Sequence, residues 1–289
     1  MFAYDFIRHA YVAGTFIALA CGLTGYFVVL RGQVFAGDAL SHVAFTGPVA
    51  AVAVGIDARA GLFTATIAFA ALLAVLGRRA ATGVDDVTIG IVFSWILGLG
   101  IFCVALADAG GAGGDAVSAA RTLFGSIFGL DTAATWLAVV VGTIAAILTL
   151  LIARPLLFAT LDPETARAAG VPTGALSVVF LVVLGGVAAE ATQAVGALLL
   201  LGLLAAPAGA AHRLTARPWH GLALSAAIAV GAMWAGLALS YLVASLPPST
   251  AIVLIATAAY LIAGAAQTLR DRTPGRRSCL VAEPAGAAR

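Results

Sequence analysis

Long apolar runs, separated by short stretches of charged residues, glycine and proline, divide the chain into nine segments of membrane-spanning length. The first extends from about His9 to Leu30, and its roughly 22 residues at about 1.5 Å each reach about 33 Å, enough for a hydrocarbon core. Arg31-Gly32 ends it. The second, about Asp38 to Ile56, contains Gly47-Pro48, which predicts a kink or a break. A third, about Gly61 to Leu76, stops at Arg78-Arg79, and a fourth spans about Val87 to Ala107 after Asp85-Asp86. A glycine-rich linker, Asp108 to Asp115, leads into a short amphipathic piece, Leu123 to Phe128. The remaining segments are about Ala134 to Ala153, Thr173 to Ala189, Val195 to Ala211, Leu222 to Leu246 and Thr250 to Gln267. The expected fold is therefore all-α: a polytopic bundle of eight or nine spans over residues 1–267, with a polar, arginine-rich, disordered tail at 268–289.

Composition agrees with that division. Hydrophobic residues make up 62% of the chain and charged ones 10%, with a mean hydropathy of +1.09, which fits a membrane protein. A net charge of +2 gives no reason to expect a nucleic-acid partner. All 15 basic residues are arginine. A phosphate-binding loop of the Walker A type needs a lysine, so the chain has no ATPase site of that kind. Cys21, Cys103 and Cys279 lie far apart and read as small apolar fillers. The first apolar run follows Asp5 and is too long for a cleavable signal.

Arginines also set the expected orientation. With the loop carrying Arg154 and Arg167 in the cytoplasm, alternation places Arg31, Arg78, Arg79, Arg213, Arg217, Arg270, Arg272, Arg276, Arg277 and Arg289 on the same side, 12 of the 15. Only Arg8, Arg59 and Arg121 then lie outside. Nine spans put the N-terminus outside and the C-terminus in the cytoplasm.

Few polar residues interrupt the apolar runs, and two of them pair. Asp38 and His42 stand four apart, on one face of a helix, where a carboxylate oxygen and an imidazole nitrogen can meet at one point. This hard and borderline donor set suits zinc, manganese or iron better than calcium or magnesium, and the lack of a nearby cysteine argues against Cu(I). A plainer reading stays open, in which Asp38 N-caps the second span and His42 bonds a backbone carbonyl. Glu190, at the expected outer end of the sixth span, either attracts cations at the mouth or is simply solvated. His9, His212 and His220 sit near helix ends and read as structural. Neither H-E-x-x-H nor G-x-S-x-G occurs, so an intramembrane hydrolase is disfavoured.

One loop is specified in unusual detail. Between Arg154 and Pro172, Asp162 suits an N-cap, Pro163 the first helical position, Glu164 the first turn, and Gly170 with Pro172 the stop. A helix of about two turns follows in a cytoplasmic loop. It is either a plain connector or a docking projection.

Taken in order, Gly37-Asp38-Ala39-Leu40-Ser41-His42, Ile89-Gly90-Ile91-Val92, Leu123-Phe124-Gly125-Ser126, Leu161-Asp162 with Ala166 and Ala169-Gly170, Val195-Gly196-Ala197-Leu198-Leu199, Pro207, Ser240-Tyr241, Leu246-Pro247 and Ile252-Val253-Leu254 resemble the permease subunit of ABC-type zinc and manganese importers, the ABC-3 group. The resemblance implies a permease dimer in a bacterial cytoplasmic membrane, fed by an extracytoplasmic metal-binding protein. Each copy would dock a cytoplasmic ATPase through residues 155–171, with Leu161, Asp162, Glu164, Ala166 and Gly170 at the contact. It also implies Asp38 and His42 as ligands of a transported Zn2+ or Mn2+, with no permanently bound cofactor. Many relatives carry an acidic residue just before the Leu-Pro that matches Leu246-Pro247; this chain has Val243-Ala244-Ser245. Two rival classes remain at this stage. A siderophore or corrinoid permease would need a wide path and no Asp-His pair, and a secondary transporter would work without an ATPase.

Overall fold

A computed structural model describes residues 4–77, 86–109, 125, 127–243 and 246–272. Arg78, Arg79, Asp85, Arg121, most of the two linker motifs between 110 and 126, Ala244-Ser245 and the tail from 273 lie outside those residues. Among the described residues the regular structure is entirely helical. Its long elements are α1 (Asp5–Leu30), α2 (Val34–Ala53), α3 (Ala58–Gly77), α4 (Asp86–Ala109), α5 (Thr132–Leu161), α7 (Thr173–Val195), α8 (Ala197–Leu214), α9 (Pro218–Leu242) and α10 (Pro248–Arg272). A 3₁₀ turn at Ile127–Gly129 precedes α5, and the short helix α6 (Pro163–Ala168) follows it. Seven of the long helices are apolar and long enough to cross a bilayer by themselves, α2 and α8 being the other two.

Small residues explain how the bundle closes. Helix α1 lies at the centre, against α5, α7, α8 and α9. A Cβ on Gly22 would stand 2.7 Å from the Ala226 Cα of α9, and one on Gly25 would collide with the Leu204 carbonyl oxygen of α8. Backbones meet there because no side chain separates them, and Ser225 Oγ uses the approach to donate to the Gly22 carbonyl at 2.7 Å. Helix α2 packs on the other side of the molecule, among α3, α4, α7 and α8.

Contacts between helix ends follow strict alternation. Arg31 Nη2 donates to Ser177 Oγ at 2.8 Å, joining the end of α1 to the start of α7, and Arg154 lies over the Trp219 ring, joining the end of α5 to the start of α9. At the opposite end Arg59 and Asp131 pair at 3.5 Å, joining the starts of α3 and α5, while Phe6 meets Phe128 edge to face. One residue, Gly196 at φ +97°, turns α7 into α8, a backbone conformation that favours glycine.

The helices depart from the sequence expectation in four places. Helix α2 begins at Val34, so its N-cap is Gln33 and Asp38 lies inside the helix; the capping alternative for Asp38 is removed. Gly47-Pro48 does not break α2, which continues to Ala53. Proline forfeits the single bond to the Ala44 carbonyl, and Gly47 packs directly on Gly61 of α3, where a Cβ would lie 2.5 Å from the Gly61 carbonyl oxygen. Helix α5 does not stop near Ala153 but runs through Arg154 and Pro155 to Leu161, because Leu156 and Leu157 are buried. Helix α10 continues through residues 268–272.

Candidate functional site

Asp38 and His42 come together as the spacing predicts. His42 Nε2 stands 3.9 Å from Asp38 Oδ1, and the two side chains remain 22% and 29% exposed. That separation is beyond a hydrogen bond, so neither group is locked to the other. Two donors each about 2.1 Å from a shared ion lie about 3.4 Å apart at the tetrahedral angle, and a small rotation of either side chain closes the difference. The Phe93 ring of α4 packs against the imidazole at 5.3 Å between centroids and limits its swing. Among the described residues Asp38 is the only polar partner of the His42 ring, which leaves no support for a carbonyl-bonded histidine.

Glu190 is neither solvated nor part of that pair. It lies within α7, 3% exposed, one position from Ala189, which packs with Ala44 of α2 and Leu62 of α3. Its Oε2 has no hydrogen-bond partner among the described residues. No three His, Cys, Asp or Glu side chains converge among the described residues, so Glu190 does not complete a three-ligand site with Asp38 and His42. Burial rather than exposure follows from α7 passing beneath α2 and α3 before Gly196 turns it. His212 holds a structural place: its ring stacks on Tyr26 and its Nε2 lies 3.1 Å from the Tyr26 carbonyl oxygen.

The loop after α5 folds as its capping residues dictate. Asp162 accepts the Thr165 N–H at 3.0 Å and the Thr165 hydroxyl at 2.5 Å. Those bonds, the hydroxyl first, hold its carboxyl below the usual carboxylate range. Ala166 is the buried foot of α6, whereas Leu161, Asp162, Glu164 and Gly170 are exposed. Gly170 ends the turn at φ +81°. The result is an exposed, capped projection anchored by one methyl group.

Sequence reasoning passed over two groups near the pair. Gln33, the N-cap residue of α2, is buried with Oε1 unpartnered, and so is Thr46 Oγ1, one turn beyond His42. The four-residue spacing of Asp38, His42 and Thr46 was the available signal for the second.

A family model described as the ABC 3 transport family matches residues 3–267. The chain is 29% identical to the manganese transport system membrane protein MntC of Halalkalibacterium halodurans, with 91% of this chain and 88% of that one covered. It is 28% identical to the manganese import system permease protein ScaB of Streptococcus parasanguinis, with 90% of each covered. With the manganese transport system membrane protein MntB of a Synechocystis species, identity is 30% over 82% of this chain and 76% of the relative. Among solved structures, PsaBC from Streptococcus pneumoniae in complex with Fab matches with a TM-score of 0.76 and 25% identity, covering 90% of this chain and 91% of that one.

Proposed function

The chain belongs to the ABC 3 transport family, and from that premise we propose that it carries a divalent transition metal, manganese before zinc, through a bacterial cytoplasmic membrane past Asp38 and His42. The supporting observation is the pair itself: a carboxylate and an imidazole on one face of α2, partly exposed and not hydrogen-bonded to each other, inside an otherwise apolar bundle. Manganese takes precedence because the named relatives are manganese systems. A carboxylate oxygen suits Mn2+, and the imidazole is acceptable to either metal. Two ligands from one chain bind loosely, as a transit site must, since an ion held too tightly would not leave.

The chain has no lysine, so ATP is hydrolysed by a separate subunit that seats on the Asp162–Gly170 projection. That face is cytoplasmic in this reading, with Arg31, Arg154, Arg167, Arg213 and Arg217 on it and the C-terminus on the same side. An extracytoplasmic binding protein delivers the ion to the opposite face, and two copies of the permease form the working unit. Closure of the ATPase moves α6 and alternates access to the pair.

Uptake of radioactive manganese by vesicles holding the permease and its ATPase tests this. Asp38→Ala and His42→Ala are each expected to abolish ATP-dependent uptake with the protein at normal levels in the membrane. Wild-type uptake by both variants removes the site. Uptake by the permease alone would favour the secondary-transporter reading.

A further inference from the structure

Helical threonines in this bundle follow a habit, and one of them breaks it beside the proposed ion site. Thr15, Thr24, Thr66, Thr143, Thr160 and Thr192 each donate their hydroxyl to the carbonyl four residues back. Thr46 would by that habit bond the His42 carbonyl. It does not: Thr46 is 5% exposed, and its Oγ1 has no partner among the described residues. Thr149 shares the lack of a partner, but it stands on α5, away from the face that carries Asp38 and His42. A buried hydroxyl without a partner costs about 1–3 kcal/mol, so Thr46 is kept uncompensated at a place where the helix's own remedy was one rotamer away.

Position gives the reason. Asp38, His42 and Thr46 recur every four residues and form one stripe along α2. The same stripe faces α4: Phe93 lies against His42, and Gly100 lies against Thr46 so closely that a Cβ there would stand 2.6 Å from the hydroxyl oxygen. A glycine at that point leaves α4 without a side chain to fix it over the hydroxyl. Nearby Pro48 has no N–H, so the Ala44 carbonyl also lacks its usual helical bond.

We propose that the Thr46 hydroxyl is a third contact for the transported divalent cation, one helical turn beyond His42 on the way to the outer face. This rests on the reading of Asp38 and His42 as the ion's ligands. A neutral hydroxyl oxygen is a hard donor that suits Mn2+ and its bound waters, and it extends a two-ligand site without adding charge. In the conformation described here α4 covers it; the contact belongs to the state in which α4 has moved off Thr46.

The test uses the permease with its ATPase in vesicles. Thr46→Val keeps the shape and removes the oxygen; it is expected to raise the manganese concentration for half-maximal uptake about fivefold or more, with the maximal rate little changed. Thr46→Ser is expected to restore the wild-type value. An unchanged half-maximal concentration in Thr46→Val overturns the proposal. If that variant is not assembled, Thr46→Cys in a chain with Cys103 and Cys279 replaced by serine provides a second reading. Manganese is expected to slow its reaction with a small charged thiol reagent, and no protection overturns the proposal. Asp38→Ala measured in parallel separates the two failures: loss of uptake there, with Thr46→Val silent, rejects only the third contact. Retained uptake in Asp38→Ala rejects the site on which it rests.

Discussion

Helices α1 and α4 are both apolar over most of their length, yet the molecule uses them in opposite ways. Of the most apolar stretch of α1, 72% is buried inside the protein; of α4 only 11% is. The less apolar of the two is the inner one. Helix α1 is rich in glycine and alanine and meets its neighbours backbone to backbone, at Gly22 on Ala226 and Gly25 on Leu204. Helix α4 turns Ile91, Trp95, Ile101 and Phe102 outward. In a bilayer, lipid is as apolar as leucine, so hydrophobicity selects who may face it and small surfaces select who packs inside. The proposed ion site lies on the α4 side of α2, against the sparsely held helix rather than the tightly held one.

The largest expected effect would erase this contrast. Gly25→Leu drives a side chain into the α8 backbone and is expected to leave no folded protein, whereas Gly98→Leu on α4, with nothing within 4 Å of its Cβ position, is expected to be tolerated. The monodisperse fraction after detergent extraction reads both. Equal behaviour of the two would break the comparison.

Helix α5 lies between those extremes, with 33% of its most apolar stretch buried, and its two ends supply the smaller tests. At the α6 end, Asp162→Ala is expected to fray α6 and lower ATP-driven uptake while the Asp38–His42 pair is intact. The pH dependence has a definite sign. The folded carboxyl is held below its ordinary value, so the contribution of the cap is fully present above the unfolded carboxylate pKa, near 3.9. It is lost only as pH falls through the depressed folded value. The protection factor of the Thr165 amide, its exchange rate relative to the unstructured chain at the same pH, should therefore be high at neutral pH and fall only on strong acidification. At the Asp131 end, Arg59→Gln removes a half-exposed ion pair and is expected to lower the melting temperature only slightly, and less at high salt. A large drop in thermal unfolding would show α3 and α5 to be held more like α1.

Much of this was legible in the sequence. The nine apolar runs coincide with the nine long helices among the described residues, because a run of apolar residues long enough to cross is hard to bury any other way. The Asp162-Pro163 start and Gly170 stop of α6 were equally plain, since capping is a local matter of one side chain and the next few amides. Helix ends set by tertiary contact were not. Arg154-Pro155 looks like a stop until Leu156 and Leu157 find buried places, and Gly47-Pro48 looks like a break until Gly61 packs across it. The pairing of Asp38 with His42 was readable from spacing alone, whereas the burial of Glu190 depended on which helices α7 passes under. Thr46 was hidden because threonine in a helix normally satisfies itself.

The length of α5 has a mechanical meaning. Its 30 residues make a rod of about 45 Å, longer than the roughly 30 Å of hydrocarbon it traverses. One unbroken strut thus joins the Arg59–Asp131 clasp at one water layer to the α6 projection at the other. Pivoted at the clasp, a tilt of about 5° sweeps the far tip through about 4 Å. A push on that tip is felt across the full thickness of the membrane without any helix bending.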